Sequence, residues 1–518
     1  MNPRIRWVGA VLMLCFVLLF LQLNSIQVRQ ASRLASNPMI TSVANSTPLW
    51  NLPRGKIVTS DGYVIAYSKR IKKSPYYERV YPSQTAEAFA PITGAFDNVL
   101  QSNLFGVESS YNSYLQQHES PVNTLGQLLS QHTETDSIQL TISKQLQLEA
   151  YDTLKAANEP GSAMVIVDPH TGKILAMAEY PSFDPNMLTA PRSVKQINDY
   201  YKQITSLPGD QIPYPNIATY RPLAPGSTFK VVTTSAIFDH DPAIANQSFP
   251  TEGYYSFPNS GKPPIRIHNY GYPPELCPVN GNTLAQALAM SCDTAYSKIG
   301  VQLGPTNLAL EARSFGFDSR PPVDLPASEV AVSNFPSPTQ INATPYMGYS
   351  AIGQFDDTAT ALQMALVVAA IANNGVIMRP YLVSQAVSSY GTIEYKAHPQ
   401  VWRRATSAST AAQVRKLMLG VTQNPLGTAY GVFQQYGQGL PTFAAKTGTA
   451  EPQKNVCGTY NWLVSFGPAD SGQTPSIAGA AVVPIPSNSA SCISNPTGAS
   501  VAGPVLIPTL RAALAINP

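Results

Sequence analysis

Ser227 stands three residues before Lys230 in the stretch RPLAPGSTFK, Arg221 to Lys230, just after a Pro-Gly break. If the break ends a loop and Ser227 opens a helix, this spacing stacks the hydroxyl and the amine on one helix face. A serine hydroxyl is a weak nucleophile until a base stands within hydrogen-bond reach, and a neutral lysine one turn along can be that base. The pair therefore predicts acyl transfer. Taken alone the spacing is weak, because a serine three before a lysine occurs about once or twice by chance in a chain of this length. Two further stretches give it weight. Ser291-Cys292-Asp293 lies 64 residues on, and Lys446-Thr447-Gly448 lies 155 residues beyond that. Lys230 is the only lysine with a serine three places before it, and Lys446 the only one followed by Thr or Ser and then Gly.

The chemistry follows from residue types. Ser227 attacks a carbonyl, and Lys230, held neutral by burial and by a nearby Lys446 cation, accepts its proton. Ser291 relays a proton to the leaving amine. Lys446 supplies positive potential for a substrate carboxylate, to which the hydroxyls of Thr447 and Thr449 can donate, with Gly448 between them. Asp293 accepts hydrogen bonds but, when ionised, cannot donate them. Placed near two lysines it is expected to be ionised and to bridge to Lys230 or Lys446.

The elements that must position these groups are readable in outline. QLTISKQLQLEAYDTLKAA, from Gln139, reads as a strand entering an amphipathic helix that ends near Pro160-Gly161. AMVIVDPHTGKILAMAEYP reads as a hairpin turning at Asp168 to Gly172, at the edge of an antiparallel sheet. Thr283 to Gly300 is helical, with Ser291, Cys292 and Asp293 at a helix-to-helix break. Thr360 to Asn373 is a long apolar helix ended by Asn374-Gly375. FAAKTGTAE, YNWLVSFGP and PSIAGAAVVP are late strands, and a C-terminal helix is expected from Pro508. Strands, a helical block and strands again make an α+β domain over residues 141–518, with a largely antiparallel sheet.

Residues 25–140 read as a separate, non-catalytic module. PRGKIVTSDGYVIAYS, Pro53 to Ser68, predicts a hairpin around Asp61-Gly62. Lys69 to Lys73 carries four basic residues in five, read as a solvated edge. Ser110-Tyr111-Asn112 resembles the second motif in text but precedes Ser227, and is read as chance.

At the N-terminus Arg4 and Arg6 precede an apolar run from Trp7 to about Leu23. By length and charge the run predicts an uncleaved membrane anchor over residues 1–24, with the rest of the chain outside. No small-x-small cleavage site follows it. Charged residues make up 12% of the chain against about 25% in a typical soluble protein, and 46 prolines and 26 tyrosines stiffen many loops. A net charge of +3 gives no footprint for nucleic acid. The five cysteines show no metal-ligand spacing, so neither a zinc site nor any cofactor is expected. A disulfide between Cys457 and Cys492 is one reading and free buried thiols the other; Cys277 with Cys292 is the weaker pair, because Cys292 must pack its side chain inward.

The three motifs in this order are those shared by penicillin-recognising serine enzymes, and the chain resembles the class B penicillin-binding proteins, within them the penicillin-binding protein A branch of actinobacteria. PRGKIVTSDGYVIA resembles the start of the family's pedestal module. IVDPHTGKILAMAEYPSFDPN resembles its first hairpin, IGQFDDTATALQMALVVAAIANNG a characteristic helix, and AAKTGTAEP its active-site strand. The resemblance implies a membrane-anchored D,D-transpeptidase, acylated by β-lactams, that joins peptidoglycan stem peptides whose donor ends in D-Ala-D-Ala. It also implies an oxyanion site from the backbone amides of Ser227 and Thr449, a dimerisation-type pedestal, and a separate membrane glycosyltransferase partner. The family usually has Asn where this chain has Asp293. A carboxypeptidase, which passes the acyl group to water, and a receptor that acylates without turnover are the competing readings; a β-lactamase would need an additional base motif.

Overall fold

The computed structural model describes residues 3–24, 53–73, 77–96, 105–116, 118–119, 133–189, 192–207, 212–249, 253–269, 277, 282–451, 458–486 and 496–516. The larger part of the chain is built on a five-stranded antiparallel sheet in the order Ala444–Ala450, Thr459–Gly467, Ile477–Ile485, Ser162–Val167, Ile174–Tyr180. The α+β expectation and the edge position of the first hairpin are both met. Every residue of Ile477–Ile485 is buried, as a strand covered on both faces requires. Cover comes from the wholly buried helix Ala361–Ala372, and from the helices Lys144–Ala157 and Gly498–Ile516, which pack on each other and on the sheet.

Local signals explain the ends of these elements. Ser143 accepts from the Leu146 amide and caps the helix Lys144–Ala157, which stops at Asn158 in the left-handed region. Thr360 caps Ala361–Ala372 in the same way, and Asn374 and Gly375 follow it with φ of 52° and 83°. The C-terminal helix is a correction. It starts at Gly498 instead of Pro508, and holds Pro504 and Pro508 inside it. Its first turn is set by tertiary contact: a Cβ at Gly498 would lie 2.2 Å from the Trp462 carbonyl oxygen and 2.4 Å from that of Gly448. This helix is apolar and long enough to cross a membrane, yet Leu506, Ile507, Leu510 and Ala513 are fully buried in the protein core.

A second sheet of six strands has the order Ile393–Lys396, Val383–Val387, Ser137–Leu140, Ile57–Val58, Val64–Arg70, Tyr77–Val80. The hairpin expected at Asp61-Gly62 is present, with Gly62 at φ 83°. Two of the six strands come from residues beyond 380, so this sheet is completed by the later part of the chain. Its interior is charged: Glu108 accepts from Arg54 Nε at 2.6 Å and Arg79 Nε at 2.7 Å, all three side chains being buried. Asn112 Oδ1 accepts from Arg54 at 2.7 Å, so the Ser110-Tyr111-Asn112 stretch serves this network, away from Ser227. Further along the junction Tyr111 donates to Asp324 at 2.9 Å, and the Gly106 amide donates to Glu329 at 3.1 Å.

At the N-terminus Pro3–Asn24 forms a 22-residue helix, and Trp7 and residues 12–20 on it are exposed.

Candidate active site

Ser227 lies in a short 3-10 turn, Gly226–Phe229, that runs directly into the helix Lys230–His240. The chain enters through Gly226 at φ 51°, a conformation that favours glycine. The turn is held by two contacts from outside and one within. The Gly226 amide donates to the Gly353 carbonyl at 2.9 Å, Trp462 Nε1 donates to the Ala224 carbonyl at 2.9 Å, and Thr228 Oγ1 donates to the Pro225 carbonyl at 2.7 Å. Below it Phe229 stacks on Phe335 and meets Phe317 edge-on, at ring separations of 5.2 and 5.4 Å. Ser227 remains half-exposed while Lys230 is fully buried.

The second motif sits at the expected helix break. Thr283 and Gln286 form a capping box on Leu284–Ala289, and the next helix starts at Asp293. Ser291 occupies the break with φ 59°, a strained value for a residue with a side chain. Here the cysteine expectation is corrected. Cys277 is bonded to Cys292, and both are buried at 4% and 0% exposure, so inward packing and bonding are compatible. Cys457 and Cys492 lie outside the described residues.

The third motif lies on the edge strand Ala444–Ala450, where Lys446 pairs with Val464 and Gly448 with Trp462. Its neighbour is the nucleophile turn: a Cβ at Gly448 would stand 2.8 Å from the Pro225 oxygen and 2.9 Å from Thr228 Cγ2. Glycine at 448 is what allows the strand to approach Ser227. Thr447 Oγ1 bonds Thr428 Oγ1 at 2.7 Å, and Thr449 Oγ1 accepts from the Gly498 amide at 3.1 Å.

All eight residues named from the sequence, Ser227, Lys230, Ser291, Asp293, Lys446, Thr447, Gly448 and Thr449, come together. Ser291 Oγ is the hub, accepting from Lys446 Nζ at 2.8 Å and from Lys230 Nζ at 3.2 Å. Lys230 Nζ also donates to the Ser291 carbonyl at 2.8 Å and to Asp293 Oδ1 at 2.7 Å. Ser227 Oγ donates to the same Asp293 oxygen at 3.4 Å. Of the two bridges left open for Asp293, the structure forms the one to Lys230.

The expectation of a neutral Lys230 beside a cationic Lys446 meets the opposite distribution of partners. Burial lowers the pKa of Lys230, and the Asp293 carboxylate opposes that fall. Lys446 is held well below the usual lysine value by burial first and by the neighbouring Lys230 charge second. Three supporting residues escaped sequence reading. Gly353, Trp462 and Thr428 reach the site only through tertiary contacts, and only the Gly353-Gln354 pair before the apolar helix carried any signal.

The chain is similar to known proteins over nearly its whole length. A family model described as the penicillin binding protein transpeptidase domain matches residues 162–506, and one described as the penicillin binding protein A dimerisation domain matches residues 54–137. The chain is 32% identical over 527 residues to the peptidoglycan D,D-transpeptidase PbpA of Mycolicibacterium smegmatis, covering 99% of each. It is 31% identical over 538 residues to the protein of the same name from Mycobacterium tuberculosis, covering 100% of each. Among solved structures it resembles the ceftriaxone acyl-enzyme complex of M. tuberculosis penicillin-binding protein A, with a TM-score of 0.76 and 29% identity over 90% of this chain and 99% of that one. The penicillin G acyl-enzyme complex of the same protein gives 0.73 and 28%, over 89% and 100%. With its motifs assembled and both modules matched, the chain belongs to the family of penicillin-binding transpeptidases.

Proposed function

We propose that this chain is a peptidoglycan D,D-transpeptidase working through an acyl-enzyme on Ser227. The observation that carries the reading is one half-exposed hydroxyl set against two fully buried lysines that share Ser291 Oγ. Ser227 attacks the carbonyl before the terminal residue of a stem peptide ending in D-Ala-D-Ala, and the terminal D-Ala leaves as an amine. Backbone amides of Ser227 and Thr449 hold the oxyanion, and Thr447 and Thr449 hydroxyls take the substrate carboxylate beside Gly448. An amine of a second stem peptide then attacks the ester and releases Ser227. A β-lactam acylates the same hydroxyl, as in the named acyl-enzyme complexes of the relative.

The membrane attachment belongs to this proposal. The 22-residue helix Pro3–Asn24, exposed at its described apolar side chains, suits a single span that holds residues 25–140 and 141–518 outside the membrane. The pedestal of residues 25–140 would meet a membrane glycosyltransferase partner that polymerises the glycan strands. No cofactor enters the reaction as written.

The test is a pentapeptide ending in D-Ala-D-Ala, offered to the full chain with a D-amino acid as acceptor. The expected product carries the D-amino acid in place of the terminal D-Ala. Release of D-Ala to water alone would make the chain a carboxypeptidase. Penicillin labelling with neither product would make it a receptor.

A further inference from the structure

The two buried lysines differ in what they touch. Lys230 Nζ lies 2.7 Å from Asp293 Oδ1, and the Ser227 hydroxyl points at that same oxygen from 3.4 Å. Lys446 Nζ meets two neutral oxygens, Ser291 Oγ and the Thr447 carbonyl, each at 2.8 Å. A carboxylate stabilises the cation it touches, and that cation disfavours a second positive charge nearby. An amide at position 293 would leave the two amines to compete for one proton; a carboxylate decides between them.

We propose that Asp293 is a positioning residue that keeps Lys230 charged and so makes Lys446 the proton acceptor for Ser227, reached through the Ser291 hydroxyl. This rests on the serine acylation reading above. As Ser227 Oγ bonds to the substrate carbonyl carbon, its proton passes to Ser291 Oγ while the Ser291 proton passes to Lys446 Nζ. The amine becomes an ammonium. When the tetrahedral intermediate collapses, the carbon–nitrogen bond breaks, the Ser291 proton passes to the leaving nitrogen while Lys446 returns a proton to Ser291 Oγ, and Lys446 is neutral again. Lys230 stays charged and balanced by Asp293 throughout.

Lys446 Nζ and Ser291 Oγ already stand 2.8 Å apart; with Lys446 as a free amine, the Ser291 hydroxyl donates across that same separation. The first link forms when the Ser227 hydroxyl turns from Asp293 Oδ1 to Ser291 Oγ, two oxygens that lie 2.7 and 3.2 Å from Lys230 Nζ. Among the described residues, the other ionisable groups around the pair are Tyr296, whose ring centre lies 5.3 Å from Lys230 Nζ, and Tyr349 and Glu451, which feel the Asp293 charge. Burial first and the Lys230 charge second hold Lys446 well below the usual lysine value, against the more distant pull of Asp293.

Arginine stays charged at all working pH values and cannot accept a proton, so it separates the two lysines. The second-order rate of benzylpenicillin acylation is measured from pH 6 to 9 for Lys230→Arg and Lys446→Arg, alone and with Asp293→Asn. Lys446→Arg should lose about a thousandfold, the scale of a missing proton acceptor, and Lys230→Arg about tenfold. With Asp293→Asn the order should reverse, since Lys230 then lacks its counter-ion. A near-dead Lys230→Arg beside an active Lys446→Arg, in the otherwise unaltered chain, overturns the inference.

Should both arginine variants misfold, lysine side-chain NMR of the unaltered protein decides. The resonance missing from Lys446→Met should be that of a neutral amine at pH 7, and the one missing from Lys230→Met that of an ammonium; the opposite pattern overturns the inference. An unaltered chain that is not acylated at Ser227 at all would instead defeat the acylation reading itself.

Discussion

Lys230 Nζ and Asp293 Oδ1 form an ion pair of 2.7 Å in which the lysine side chain is fully buried and the carboxylate 10% exposed. Breaking a buried pair costs more than never having it, because one charge is left without compensation. Asp293→Ala should therefore destabilise the catalytic domain by about 3 kcal/mol or more. Asp293→Asn should lose less, since its amide oxygen still accepts from Lys230. Denaturant unfolding followed by fluorescence reads both; equal stability of Asp293→Ala and the unaltered protein would show that the pair holds nothing together.

Gly353 is the second point of control. It has φ 74°, and a Cβ there would lie 2.1 Å from the Gly226 carbonyl oxygen, so the nucleophile turn would have to move. A shift of about 1 Å at a reacting group can cost about a hundredfold in rate. Gly353→Ala should lower benzylpenicillin acylation by at least that factor. Gly391→Ala is the control, because Gly391 has φ 85° but nothing within 4 Å of a Cβ; it should cost about 1 kcal/mol of stability and leave acylation unchanged. Equal acylation rates in the two variants would remove Gly353 from the account.

These residues show where sequence reading works and where it stops. Ser227 and Lys230, and Lys446 with Thr447 and Gly448, are legible because each motif lies within one local element, and helix or strand geometry sets its spacing. Ser291 and Asp293 are legible for the same reason, at a break bounded by a Thr283 cap. Trp462, Gly353 and Thr428 touch the site across 19 to 238 residues of chain, and no local pattern encodes such a contact. The Cys277–Cys292 bond is of the same kind, since only packing brings Cys277 onto the second motif. Pro508 misled because proline favours the first turn of a helix; here tertiary packing at Gly498 starts the helix three turns earlier. The pedestal hairpin was readable from Asp61-Gly62, but its sheet partners Val383–Val387 and Ile393–Lys396 were not.

Glu329 ties the catalytic half to the pedestal by accepting from the Gly106 amide, and burial raises its pKa to about 7. A carboxyl whose folded pKa exceeds its unfolded value binds more protons in the folded state, so stability falls as pH rises from about 4.5 to 7. Above that window the penalty is complete, at about 3 kcal/mol. Glu329→Gln should flatten the pH dependence of the melting temperature between pH 5 and 8 and gain most at pH 8. A variant whose melting curve tracks the unaltered protein at every pH would contradict this.

Every step proposed for this chain begins with acylation of Ser227. The direct measurement treats the full-length protein with benzylpenicillin, digests it and reads peptide masses. One penicilloyl adduct is expected, on the peptide containing Ser227, and none in Ser227→Ala. An adduct on another residue, or full labelling of Ser227→Ala, would contradict it.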